Sequence, residues 1–278
     1  RVRALLSLIG RVGLRSQRLQ QSTPGIMRQR GWRSTPPRLS ASGCCEYSSM
    51  RIKVWDLPTR VFHWTLFVAV TVALLTGLQG GHWMLWHERA GLLILGLLTF
   101  RLIWGFVGST YARFAQFWPT PGTILAYLRG HWQGEGHNPL GALSVFALLL
   151  VLLFQAGSGL VSNDDIAFEG PLRDLVSKTT SNWLTGLHRQ GLWVILALVS
   201  LHILAALFYT LVRRHPLIRA MITGWKPAPS EGSGASSARG GPLWVLVLAL
   251  LLSALAVWAA AGGLLPAPPP PPGTVPTW

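Results

Sequence analysis

The hydrophobic positions of this chain gather into five long runs, at 61–78, 90–107, 139–161, 187–212 and 243–265. About 20 apolar residues are enough for a helix to cross the hydrocarbon of a bilayer. Each run is therefore expected to be a transmembrane helix, because backbone groups inside lipid must be bonded within their own segment. No series of alternating ten-residue segments of the kind that closes into a membrane barrel is present. The pattern predicts an all-α membrane protein, a four-helix transmembrane bundle plus a fifth C-terminal transmembrane helix.

The polar stretches divide the chain. Residues 228–242, "APSEGSGASSARGGP", read as a flexible linker between a domain at 50–227 and the additional helix at 243–265. Residues 266–278, "PAPPPPPGTVPTW", read as an extended polyproline tail. The first 49 residues are rich in arginine and serine, with one acid, Glu46. A mitochondrial-type presequence has that composition. The alternative, which the stretch "MRIKVWDLPTRVFHW" from Met50 favours as a natural beginning, is a disordered basic extension that is not native and lies outside the fold.

Composition sharpens the membrane reading. Only 12% of the 278 residues are charged and 50% are hydrophobic, whereas soluble domains carry about 25% charge. Lys and Arg number 24 against 9 Asp and Glu, but nine of the arginines lie in residues 1–49. The high basicity is thus no argument for nucleic acid, and no basic helix with base-reading side chains is present. Cys44 and Cys45 are the only cysteines, adjacent and outside the apolar runs, so no disulfide framework or zinc site follows. A C-x-x-C-H stretch is also lacking, which removes covalently attached c-type haem.

Charge in the loops sets the expected orientation. Arg51, Lys53, Arg60, Arg113, Arg129, Arg213, Arg214, Arg219, Lys226 and Arg239 fall on one side; Arg89, Arg173, Lys178 and Arg189 fall on the other. The richer side is expected to be cytoplasmic, with the N-terminus inside and, after five spans, the C-terminus outside. Trp55, Trp64, Trp83, Trp86, Trp183, Trp225 and Trp244 lie near the expected helix ends, as an aromatic belt does.

The candidate chemistry lies in histidines. His188 and His202 are fourteen positions apart on the fourth run. That spacing rises about 21 Å and returns to within about 40° of the same face of an α-helix. His63, at the inner end of the first helix, should share a depth with His202. His87, at the outer start of the second, should share one with His188. Two stacked pairs suit two bis-histidine haem b groups, because such a haem takes one axial ligand from each side. Zinc wants three or four clustered ligands. Gly77, fourteen residues after His63, is expected to let a flat ring approach at the outer level. Arg101, fourteen after His87, is expected to face the interior with a haem propionate as partner, snorkelling to the headgroups being the alternative. His137 is expected to make a polar contact at the start of the third helix, or to assist a propionate or quinone. His82, His131 and His215 are expected in solvated loops. A lone membrane histidine often just bonds a neighbouring helix; four at matched depths do not fit that reading.

The segments "VWDLPTRVFHW", "HERAGLLILGLLTFRLIWGFVG", "ARFAQF", "GHNPLGA", "LHRQGLWVILALVSLHILAALF" and "HPLIRAMITGWKP" resemble the bacterial cytochrome b561 family, in the branch related to the cytochrome b subunit of nickel-iron hydrogenases. The resemblance covers about residues 50–227. It implies a four-helix bundle holding two haem b groups from its first, second and fourth helices, which carries over to His63, His87, His188 and His202. The fifth helix and the proline-rich tail fall outside it.

The expected function is electron transfer across a bacterial inner membrane, between the quinone pool and a periplasmic or membrane redox partner such as a cytochrome c or a hydrogenase-type protein. A homodimer is a further expected possibility. Asp164, Asp165, Glu169 and Asp174 form an acidic outer loop, either a docking patch for a basic cytochrome c or an ordinary solvated loop. Two other classes stand beside this reading. A metal-ion transporter would place acids at mid-membrane, and the runs have none; a non-redox anchor subunit would make the histidines dispensable.

Overall fold

The computed structural model describes residues 51–132, 136–227 and 237–266. The extension 1–49, most of the linker and the tail from residue 267 onward lie outside the described residues. Among the described residues, five helices are long and apolar enough to cross a membrane, one for each hydrophobic run.

In chain order, β1 (Arg51–Lys53) leads into α1 (Leu57–Gln79). After a 3-10 turn, α2 (Met84–Val107) returns. A short helix, α3 (Pro121–Leu128), precedes the third span, α4 (Pro139–Gly159). The fourth span, α5 (Lys178–Leu207), ends in a π-helical segment at Phe208–Val212. Then come α6 (Leu217–Thr223), β2 (Trp225–Pro227) and the fifth span, α7 (Leu243–Trp258), with its own π-helical end at Ala259–Gly263. β1 and β2 pair antiparallel, Ile52 opposite Lys226.

Polar caps set where the spans begin. Asp56 caps α1 by accepting from the Thr59 amide at 3.3 Å, and Asn138 caps α4 by accepting from the Gly141 amide at 2.6 Å. Each supplies an oxygen to one of the amide groups that a helix start leaves unbonded. Ser177 does the same for Thr180 at 3.2 Å. α5 therefore starts at Lys178 rather than at residue 187, because its polar first turns are helical although they are not apolar.

α2 is the centre of the molecule and packs against α1, α4 and α7, while α4 packs against α5. Phe62, Phe100, Trp104, Ala112, Val245 and Ala249 form one core cluster; Ala69, Ile94, Leu98, Leu152 and Ile195 form another. α5 makes few or no close backbone approaches to α1 or α2. Of its thirty residues only Ser181 and Ile195 are buried. The fourth span thus meets the first two through side chains such as Ile195 rather than by close backbone packing.

The end that carries β1, called here the N-side, is tied together by backbone bonds. Gly224 takes a left-handed φ of 87°, and its carbonyl accepts from Val54 at 2.9 Å and Trp55 at 3.2 Å. Arg60 Nη1 donates to the Thr223 carbonyl at 2.8 Å. The last residues of the linker are docked here too, with the Ala238 amide donating to Lys53 O at 2.7 Å. The far end is closed by buried Asn163, whose Nδ2 donates to Ser181 Oγ at 2.5 Å and to Asn182 Oδ1 at 3.0 Å.

Candidate functional site: two facing imidazole pairs

The four span histidines meet as two pairs between α5 and the first two spans. At the far level, His87 in the first turns of α2 faces His188 of α5, with ring centroids 5.9 Å apart and planes at 83°. His87 Nδ1 lies 2.8 Å from the Ala73 carbonyl, and His188 Nδ1 lies 3.0 Å from the Gln155 carbonyl. A carbonyl only accepts, so each Nδ1 carries the hydrogen and each Nε2 keeps its lone pair. Ser158 Oγ also lies 3.2 Å from His188 Nδ1, and Gln155 Nε2 donates to the His188 carbonyl at 2.8 Å. Two glycines make room for these rings. A Cβ on Gly77 would sit 2.7 Å from His87 Nδ1, and one on Gly159 would sit 3.0 Å from His188 Cε1.

At the N-side level, His63 of α1 faces His202 of α5 with centroids 6.4 Å apart and planes at 47°. His202 Nδ1 is 3.4 Å from Ser144 Oγ, and His63 Nδ1 is buried without a partner. Arg101 is only 3% exposed. Its guanidinium lies over the Phe114 ring at 4.6 Å, and its Nη1 is buried with no hydrogen-bond partner. The side chain faces inward, and the snorkelling alternative is not realised. His137 packs its ring against Phe117 at 4.3 Å and Trp55 at 4.7 Å, with Nδ1 unpartnered. Asn138, not His137, makes the polar contact at the helix start. Burial among these rings pushes the His137 pKa down to about 3, and the Arg101 charge acts in the same direction.

The donor set suits haem b, whose iron would be held by one imidazole from each of two facing helices. An ion held between two imidazoles by bonds of roughly 2 Å each brings their ring centres to about 6 Å, the spacing of both pairs. Leu184, Leu192 and Val199, on the face of α5 that carries His188 and His202, are half-buried. The Arg101 Nη1, buried without a hydrogen-bond partner, adds a cation suited to an acid group. Among the described residues, no three His, Cys, Asp or Glu side chains gather as a metal-ion cluster.

His82, His131 and His215 are exposed. In the far-side loop, Asp164 Oδ1 accepts from the amides of Ile166, Ala167 and Phe168 at 2.8–2.9 Å. These bonds hold its carboxyl below the usual carboxylate range. Asp165 pairs with Lys178 at 3.1 Å. Two of the four acids thus serve the loop itself. The residues that bracket His188, namely Gln155, Ser158 and Gly159, were not singled out from the sequence. Their signal was available, since Gln155 and Ser158 are polar residues three apart in the last turns of the apolar stretch "LLLVLLFQAGSG", and polar groups in a span face inward.

Facing histidines in a five-span apolar bundle define a membrane b-type cytochrome. The family model of the prokaryotic cytochrome b561 matches residues 54–224, and the chain belongs to that family of haem b electron-transfer proteins of the membrane. It is similar to the probable Ni/Fe-hydrogenase B-type cytochrome subunit of Rhizobium leguminosarum bv. viciae, at 27% identity over 213 residues, covering 62% of this chain and 87% of the relative. The probable Ni/Fe-hydrogenase 1 B-type cytochrome subunit of Escherichia coli (strain K12) is 24% identical over 220 residues, covering 62% and 89%. The Azotobacter vinelandii subunit is 26% identical over 218 residues, covering 63% and 88%. No solved structure matches the chain. The fifth span lies beyond the family match.

Proposed function

We propose that the chain holds two haem b groups, one between His63 and His202 and one between His87 and His188, and carries electrons across a bacterial inner membrane. The quinone pool is the partner on one side, and a hydrogenase-type redox protein is the other, as the names of its relatives suggest. The N-terminus lies in the cytoplasm, where the loop arginines and lysines concentrate.

The observation that carries this reading is the meeting of four distant histidines as two pairs with centroids 5.9 and 6.4 Å apart. When bound, haem b supplies reversible one-electron chemistry at its iron. The chain's own residues do the rest. The Ala73 and Gln155 carbonyls fix the tautomer and the aim of the far-side rings. Gly77 and Gly159 keep the helix surface low beside those rings. Arg101 offers a buried positive charge to an acid group at the N-side level. The apolar spans keep water from both sites.

The test is a reduced-minus-oxidised visible spectrum of the purified chain, with haem counted as its pyridine haemochrome. Haem b bands and two haems per chain are expected. A chain that stays colourless after adequate haem supply would overturn the reading.

A further inference from the structure

A groove outside the histidine pairs runs between the start of α1 and α6 at the N-side. Its volume is about 290 Å³, and Leu57, Arg60, Val61, Trp64, Thr65 and Ile222 line it. Leu57, Val61 and Ile222 are apolar yet more than half exposed. On α1 the lining follows one stripe, because residues 57, 61 and 64 repeat at each helical turn. The stripe continues into the span through exposed Val68 and Leu75. It offers a hydrocarbon chain a track from the membrane surface inward. Trp64 sits at the same end, edge-on to the His63 ring with centroids 5.2 Å apart, and an indole suits the membrane interface.

The polar end of the groove is cationic. Arg60 Nη1 donates to the Thr223 carbonyl at 2.8 Å, while its Nε is buried with no partner. Arg219 is exposed and lies one turn before Ile222 on α6, so it flanks the opposite wall. Among the described residues no carboxylate pairs with either guanidinium. Asp56, close to Arg60 in sequence, is buried, with its oxygens taken by the Thr59 amide and Trp104 Nε1. Exposed Arg213 and Arg214 add positive charge just before α6.

An apolar track that ends between two unneutralised arginines matches a molecule with a hydrocarbon chain and an anionic head. A guanidinium grips phosphate through two parallel N–H groups. Basic pockets between membrane helices hold anionic lipid heads in this way. An uncharged quinone would leave both charges unanswered.

We propose that this groove binds one anionic phospholipid. Its phosphate lies between Arg60 and Arg219, and its chain follows Leu57, Val61 and Trp64. The site stands apart from the two imidazole pairs and does not depend on how many haems the chain holds.

The experiment is native mass spectrometry of the full, haem-loaded chain in a neutral detergent. The chain is titrated with phosphatidylglycerol and with phosphatidylcholine, and the bound lipid is challenged with glycerol phosphate and with a neutral quinone. One phosphatidylglycerol is expected to bind, more tightly than phosphatidylcholine. Arg219→Gln should weaken it about fivefold, the effect of one charge near a membrane surface. Ile222→Glu, which places a carboxylate on the groove wall, should abolish the preference. Arg219 is exposed, so that variant keeps the test decisive should Ile222→Glu fail to fold. Equal retention of the two phospholipids, or unchanged binding in Arg219→Gln, overturns the proposal. Glycerol phosphate displacing the lipid at equal concentration would show a site for free phosphate, and displacement by the quinone would show a quinone site; either result overturns the lipid assignment.

Discussion

Gln155 and His188 hold each other twice. The imidazole donates to the Gln155 carbonyl at 3.0 Å while the Gln155 amide donates to the His188 carbonyl at 2.8 Å. The first bond fixes the ring, and the second fixes the helix that carries it. Gln155→Leu removes only the second. A hydrogen bond of this kind contributes about 0.5–1.5 kcal/mol net. The loss is reduced because Gln155 Oε1 is itself buried without a partner and leaves with the side chain. A modest fall in melting temperature in detergent is expected, with far-level haem released earlier on heating. Unchanged haem release in a heating series followed at the haem absorbance would show that α5 needs no such support.

On the proposed two-haem reading, the pairing divides the four histidines into two classes. His63→Ala and His202→Ala should give one spectroscopic phenotype, and His87→Ala and His188→Ala another, each class keeping one haem. A double variant within a class should lose no more haem than either single one, because both singles already empty the same site. A double variant across classes should lose both haems. Haem per chain across these variants checks the pairing directly; four indistinguishable phenotypes would remove it.

At Gly77 the helix surface touches the His87 ring. The smallest added side chain would put a Cβ 2.7 Å from Nδ1, and the ring would have to swing away from the Ala73 carbonyl it bonds at 2.8 Å. Gly77→Ala is therefore expected to weaken far-level haem retention, and Gly77→Val to abolish it, while the His63–His202 level stays occupied. The same haem count, with the visible spectrum, measures this.

Much of this arrangement was legible in the sequence because a membrane simplifies the physics. Apolar length gives the spans, and the 3.6-residue period carries His188 and His202 to one face. Opposed chain direction then assigns His63 and His87 to their depths. What stayed hidden depends on features that hydropathy does not encode. α5 begins at Lys178 because Ser177 caps it, although its first turns are polar. The docking of residues 237–239 beside Lys53 and Thr110 uses backbone groups, which are the same in every residue, together with the small hydroxyls of Ser237 and Thr110, which hydropathy does not mark out. His137 looked like a helix-start residue, yet Asn138 next to it takes that role and leaves His137 to the aromatic rings.

That aromatic nest gives His137 a pH signature. Its pKa is pushed down to about 3 in the folded chain, against about 6.5 when unfolded. Between these values the unfolded chain binds a proton that the folded chain refuses. Stability is therefore fully present above about pH 6.5 and is lost progressively as pH falls toward the folded value. His137→Phe should flatten the acid side of the melting profile. Parallel profiles for the two proteins between about pH 7 and 4.5 would contradict this.

Asp56 joins the start of the first span to the end of the second. One carboxylate oxygen caps α1 at the Thr59 amide, 3.3 Å away, and the other accepts from the Trp104 indole at 2.9 Å. Both Asp56 and Trp104 are buried, and Trp104 sits in the cluster that also receives Val245 and Ala249 of the fifth span. Loss of the cap costs about 0.5–2 kcal/mol, and leaving the indole nitrogen buried and unbonded costs about 1–3 kcal/mol more. Asp56→Ala is thus expected to be among the most destabilising single changes outside the histidines. Asp56→Asn keeps one oxygen acceptor and should recover part of the loss. Trp104→Phe deletes the donor together with its need for a partner, so adding it to Asp56→Ala should cost less than the two changes summed. Thermal unfolding of the four proteins in one detergent closes that cycle, and strict additivity would show that the indole and the carboxylate are not coupled.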